Sequence, residues 1–163
     1  MTALSQLPES ARRVAELLEA LGHPHPVVLL PQSGKTSAQA AAALGCQVAE
    51  IAKSIVFRRL ADDAPVMVIA SGSNRVDERK VAHLVGPIGK ADAGFVKERV
   101  GYSIGGVSPI GHIAQTVMLV DQDLLQFDSL WAAAGHPHAV FELTPRQLLA
   151  MTGAGVADVA QRG

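Results

Sequence analysis

The chain has 163 residues, 48% of them hydrophobic and 18% charged, with a formal net charge of −1. That is the length of one ordinary domain with enough apolar material for a core, which excludes a disordered chain and a protein that grips nucleic acid by overall charge. The charge is unevenly spread: residues 53–99 carry nine Lys/Arg against six Asp/Glu, and residues 100–163 two against five, so a modest basic face is expected near Lys53.

Taken in order, Ala11, Val14, Ala15, Leu18 and Leu21 recur at helical spacing between Pro8 and Gly22, which predicts a first helix. His23-Pro24-His25-Pro26 breaks the pattern, and residues 27–30 read as a short strand. Thr36 with Gln39 three residues on is a capping box for a short alanine-rich helix that stops at Gly45. Ile51 to about Leu60 reads as a buried strand, Asp62-Asp63-Ala64-Pro65 as a turn, and Val66 to Ala70 as the returning arm of a hairpin. Helices are predicted over residues 77–84 and 93–100, with a short extended piece at 88–90. Strands are predicted at 116–121 and 139–143, separated by a helical turn at Ser129 to Gly135. Thr144-Pro145-Arg146-Gln147 opens a last helix through a second capping box, and residues 156–159 add a possible edge strand. No linker divides the chain, so residues 1–163 are read as a single domain of mixed α/β class. Its sheet should be curved and mixed or largely antiparallel, flanked by helices.

Within Ile51-Ala52-Lys53-Ser54-Ile55-Val56-Phe57, alternation puts Lys53 on the same face as Ile51, Ile55 and Phe57. An ammonium among apolar side chains must reach water along its stem, open onto a cavity, or meet an anion. Gly105-Gly106-Val107-Ser108-Pro109-Ile110-Gly111-His112 is a glycine-rich loop: either a tight turn, or a loop whose backbone groups approach a ligand and hold an oxyanion or a water. Ser71-Gly72-Ser73-Asn74-Arg75-Val76-Asp77 leaves a strand and opens a helix. Asn74, Arg75 and Asp77 there are either pocket-shaping residues or a helix cap with solvated charges.

Other chemistry is poorly supported. The histidine pairs 23/25 and 136/138 lack the ligand number and spacing of a metal site and read as two exposed loops, so no metal or other cofactor is expected. Gly-His-Pro-His occurs at 22–25 and again at 135–138, too short a unit to signal a repeat fold. Cys46, the one cysteine, excludes an internal disulfide and reads as a packed thiol. Ser71-Gly72-Ser73 is not a nucleophile elbow. No apolar run approaches a membrane-spanning length, and the first eight residues lack the regions of a signal peptide, so a soluble cytoplasmic protein without membrane partners is expected.

Three motifs in order, the Lys53 strand, Ser71 to Asp77, and Gly105 to His112, resemble the YbaK family of aminoacyl-tRNA deacylases, which includes the editing domain inserted in bacterial prolyl-tRNA synthetases. The resemblance spans most of the chain. It implies a pocket that hydrolyses the ester joining a wrong, small amino acid (cysteine, alanine, serine or 2-aminobutyrate) to tRNA(Pro). It further implies roles for Lys53 and Gly105 in catalysis, and for Gly106, Val107, Ser108, Pro109, Ser71, Asn74, Arg75 and Asp77 in binding substrate. The Gly-Gly-Val-Ser-Pro-Ile-Gly form is similar to that of the cysteinyl-tRNA(Pro) deacylases. His112 stands where some relatives carry a polar amide, so no catalytic role is carried over to it. The weak net charge suggests that a partner such as prolyl-tRNA synthetase helps to select the tRNA. The competing reading is a non-catalytic module of the same fold that binds tRNA or a nucleotide, or docks on a synthetase.

Overall fold

The computed structural model describes residues 4–32 and 34–162. Its centre is a hairpin, β2 (Ile51–Arg59) and β3 (Pro65–Ser71), paired antiparallel from Ala52↔Ser71 to Arg58↔Pro65. All seven residues of β3 are buried, as a near-continuous apolar run requires of a strand covered on both faces. The turn is held by Arg59 bonding both carboxylate oxygens of Asp62, while Asp63 takes the left-handed conformation.

β3 is flanked in parallel by β5 (Val117–Asp121), which in turn pairs in parallel with β8 (Gly155–Ala157). On the other side β2 has two neighbours at different heights. Its first residues pair in parallel with β6 (Leu130–His136), Ile51↔Trp131 and Ala52↔Ala132, and its last three pair antiparallel with β4 (Ile88–Lys90). Beyond β6 lie β7 (Ala139–Leu143) and β1 (Val28–Leu29), so the described strands form one mixed sheet ordered β1-β7-β6-β2-β3-β5-β8 with β4 to one side. Mixed pairing agrees with the predicted class. The segment expected to be a helical turn is instead β6. Its alanines are weak strand formers, but Leu130, Ala132 and Ala134 are buried between β7 and β2, and ladder pairing there outweighs local preference.

The helices are α1 (Glu9–Ala20), α2 (Ser37–Leu44), α3 (Glu78–Val85), α4 (Ala93–Arg99) and α5 (Pro145–Thr152). Both predicted capping boxes form, Thr36 with Gln39 and Thr144 with Gln147. One face of the hairpin, through Ala52, Val56, Met67 and Ile69, packs into the main core with α1, α4 and α5. The other face divides. Ile55, Phe57, Val66, Val68 and Ala70 pack around Val81 of α3, whereas Ile51 packs with Ala40 and Ala41 of α2. Lys53 lies between Ile51 and Ile55 on that second face, at the seam between two separate apolar clusters. No described helix is long and apolar enough to cross a membrane.

Candidate active site

The seam opens into a cavity of about 480 Å³ bounded by α2, the start of β2, β6 and the Gly105 loop. Lys53 and Ser54 of β2, Gly105 and Val107 of the loop, and Trp131 and His136 of β6 are among the residues on its wall. Lys53 is therefore at a cavity rather than reaching bulk solvent from a strand end. Its Nζ donates to the backbone carbonyl of Asn74 at 2.5 Å. The Asn74 side-chain amide donates in turn to Asp121 at 2.9 Å and Asp123 at 2.8 Å, so two carboxylates fix the group that positions the ammonium. Burial lowers the Lys53 pKa, the Asp121 charge acts against that, and the nearby Arg75 charge adds to it. One acceptor among the described residues leaves the ammonium's other two N–H groups for a ligand.

The backbone of β2 is also open here. Gly72 N–H donates to Ile51 O and Arg59 N–H to Ala64 O, so the odd-numbered residues of β2 turn their peptide groups to β3 and the even-numbered ones turn away from it. Pairing with β6 ends at Ala52 and pairing with β4 begins at Phe57. Ser54 falls in the gap: its N–H and C=O face no ladder partner, and its hydroxyl is buried without a hydrogen bond among the described residues.

The opposite wall is the Gly105 loop. Gly105 has φ of +103°, a conformation that favours glycine, and a β-carbon there would press on the Lys35 stem. Gly106 is a close-approach glycine, since its β-carbon would lie 2.7 Å from the backbone of His136. Among the described residues the amides of Gly105 and Val107 donate to no acceptor, and both residues line the cavity. Gly106, Ser108 and Pro109 are buried behind it. The Tyr102 hydroxyl donates to Ile110 O at 2.7 Å, His112 Nε2 donates to Ser108 O at 2.8 Å, and the Ser108 hydroxyl accepts from Ile110 N–H at 3.3 Å. His112 thus braces the loop from behind. Burial lowers its pKa, against the Ser108 bond.

The remaining sequence-predicted residues sit around this centre. Ser71 is buried; its N–H donates to Asp121 and its hydroxyl to Ala49 O, which ties the end of β3 below the lysine. Arg75 is exposed and reaches Lys53 only through its charge. Asp77 caps α3, accepting from the Arg79 and Lys80 amides, so of its two readings the cap is the one observed. Lys35, Ser54, Trp131 and His136 line the cavity without having been singled out for it. His136, read as part of an exposed loop, is half-buried on the wall; a bulge between Ala133 and His136 re-aims that end of β6. Cys46 is half-buried against the α2 cluster, and burial raises its pKa. Among the described residues no three His, Cys, Asp or Glu side chains gather as a metal site.

Comparison with known proteins agrees with this architecture. Residues 31–151 match the aminoacyl-tRNA editing domain family. The uncharacterized protein YwhH of Bacillus subtilis (strain 168) is 32% identical over 117 residues, 71% of this chain and 74% of that protein. A crystal structure described as that of a candidate trans-editing enzyme for prolyl-tRNA synthetase superposes with a TM-score of 0.90 at 43% identity, over 96% of this chain and all of the other. That of the hypothetical protein APE2540 gives 0.84 at 33% identity, over 91% of this chain and 99% of the other.

Proposed function

The chain belongs to the aminoacyl-tRNA editing domain family, and from that premise we propose that it is a trans-editing hydrolase that removes a small wrong amino acid from tRNA(Pro). The observation that carries the reading is that Lys53 and the Gly105 loop, far apart in sequence, face each other across one cavity with unused donors on both walls.

Those donors suit ester hydrolysis. Water attacks the ester carbonyl carbon, the carbonyl oxygen takes up negative charge, and the bond to the ribose oxygen breaks, giving free amino acid and a ribose hydroxyl. The Gly105 and Val107 amides would meet the developing oxyanion or hold the water, and the Lys53 ammonium would anchor the ribose end of the substrate. Neither role needs a strong side-chain base, because the ester is already activated. Preorganised donors of this kind contribute about 100- to 1000-fold each to such reactions. Cysteine, alanine, serine and 2-aminobutyrate esters differ by one or two atoms, so the pocket would separate them by only about 1–3 kcal/mol. Docking on prolyl-tRNA synthetase would supply the tRNA selection that a net charge of −1 does not.

The test is release of labelled amino acid from cysteinyl-, alanyl-, seryl- and 2-aminobutyryl-tRNA(Pro) by the wild type and Lys53→Ala. Hydrolysis of one ester by the wild type, lost in the variant, is expected, and the preferred ester identifies the substrate. If tRNA binds but neither protein exceeds spontaneous hydrolysis, with or without the synthetase, the chain is a binding module instead.

A further inference from the structure

The cavity does not end at Lys53 and the Gly105 loop. It is continuous with a more open depression of about 580 Å³ walled by Lys35, Thr36, Gln39, His136, Pro137 and His138, and four of these residues line both spaces. Every wall residue except Pro137 carries a hydrogen-bonding side chain, and no carboxylate is among them. Lys35 is exposed and has no ion pair or hydrogen bond among the described residues, while its stem lies against Gly105. His136 is set as a donor. The His138 backbone N–H donates to His136 Nδ1 at 3.1 Å, so Nδ1 is the acceptor nitrogen and the neutral ring carries its proton on Nε2, which has no partner among the described residues.

We propose that this depression binds a phosphodiester of the RNA 3′ end, with the Lys35 ammonium and the His136 Nε2–H as its donors. The inference rests on the editing reading. With the aminoacyl ester in the inner cavity, the first phosphodiester is one nucleoside away, on the path out through this mouth. A flexible ammonium and a fixed imidazole donor, free of competing carboxylates, suit such an anion. His138 is a positioning residue, whose backbone fixes the tautomer of His136.

The test compares two substrates of the same amino acid, an aminoacyl-adenosine that has no phosphate and an aminoacylated CCA-ended microhelix. Lys35→Ala should raise KM for the microhelix about five- to tenfold and lower the slope of its salt dependence by about one. The loss in kcat/KM should be severalfold larger on the microhelix than on the aminoacyl-adenosine. Equal losses on both substrates, or none on either, would overturn the proposal. Should the wild type hydrolyse neither substrate, the editing reading fails and the subsite is judged by binding alone. The dinucleotide CpA, titrated against protein with ¹⁵N-labelled histidine, should move the His136 Nε2 resonance, and Lys35→Ala should weaken that response severalfold. An equal response to adenosine would overturn the phosphate assignment. An equal response to inorganic phosphate would make this a general anion site and overturn the RNA assignment.

Discussion

Gly106→Ala isolates the packing of the Gly105 loop from its conformation. Gly106 does not have a positive φ, so an alanine there is strained only by what its β-carbon meets. That is the main chain of His136, with Cα and C at 2.7 Å and N at 2.8 Å, and backbone within a paired strand cannot swing aside as a side-chain tip does. Ordinary contact begins near 3.4 Å, so loop and strand must separate by about 0.7 Å. Overpacking of this kind costs about 1–3 kcal/mol of stability. The same shift displaces Gly105 and Val107 with the loop, and under the proposed function a misplacement approaching 1 Å costs on the order of 100-fold in rate. Urea unfolding and single-turnover deacylation should therefore show a modest loss of stability beside a much larger loss of rate. Gly94→Ala is the control: its β-carbon would meet only Asp92 Oδ1 at 3.5 Å, it lies in the first turn of α4, and it should be neutral or stabilising by up to about 1 kcal/mol with unchanged rate. A Gly106→Ala protein that unfolds at a lower urea concentration yet turns over like the wild type would refute the idea that this contact sets the reaction geometry.

Tyr102→Phe removes the hydroxyl bonded to Ile110 O in a fully buried position, so thermal or urea unfolding should show a loss of about 1–2 kcal/mol, with a fall in kcat rather than a rise in KM. Ser54→Ala deletes a buried hydroxyl that has no described partner, and the variant should be as stable as the wild type or up to about 1 kcal/mol more stable by urea unfolding. His112 and His136 both have pKa values lowered by burial, so the unfolded chain takes up protons before the folded one does. Stability should therefore fall as pH drops below the unfolded histidine value of about 6.5 towards the folded values, and His112→Gln should flatten that part of the curve.

Local signals carried much of the fold. Helical spacing, two capping boxes and the acidic hairpin turn are properties of neighbouring residues, and the elements they announce form within one or two positions of the expected ends. The alternation that put Lys53 with Ile51, Ile55 and Phe57 also survives, because the two faces of β2 bury different clusters. What could not be read were consequences of long-range pairing. β6 lies beside β2 only through a parallel ladder of two residues, and that ladder brings Trp131 and His136 to the cavity. Nothing in Leu130-Trp131-Ala132-Ala133-Ala134 announces a strand until β7 and β2 enclose it. Likewise the carboxylates that hold Asn74, Asp121 at the end of β5 and Asp123 in the turn after it, are almost fifty residues away in sequence. The two Gly-His-Pro-His copies flank the β1·β7 pair, where His23 Nε2 donates to Glu142 O and His138 Nδ1 to Leu30 O.

The position of Lys53 also explains why an expensive residue is tolerated in the sheet. A strand face that is one continuous core would have to bury the ammonium among hydrocarbons, whereas a face divided between α2 and α3 leaves an unfilled seam at Lys53. Even so, desolvation dominates the shift in its pKa, and the single carbonyl of Asn74 replaces only part of the lost hydration. The site is thus short of acceptors on the lysine wall, at the Gly105 and Val107 amides, and at the Ser54 N–H. An oxygen-rich ligand entering this cavity would supply acceptors to these unfilled donors, with little reorganisation at the moment of reaction. The same deficit disfavours a hydrocarbon ligand of equal volume, which would remove water from these donors and return nothing. For the substrate proposed above, selectivity for the ester and its ribose would come from the unfilled donors, and the apolar wall of Ile51 and Trp131 would have only the small amino-acid side chain left to discriminate.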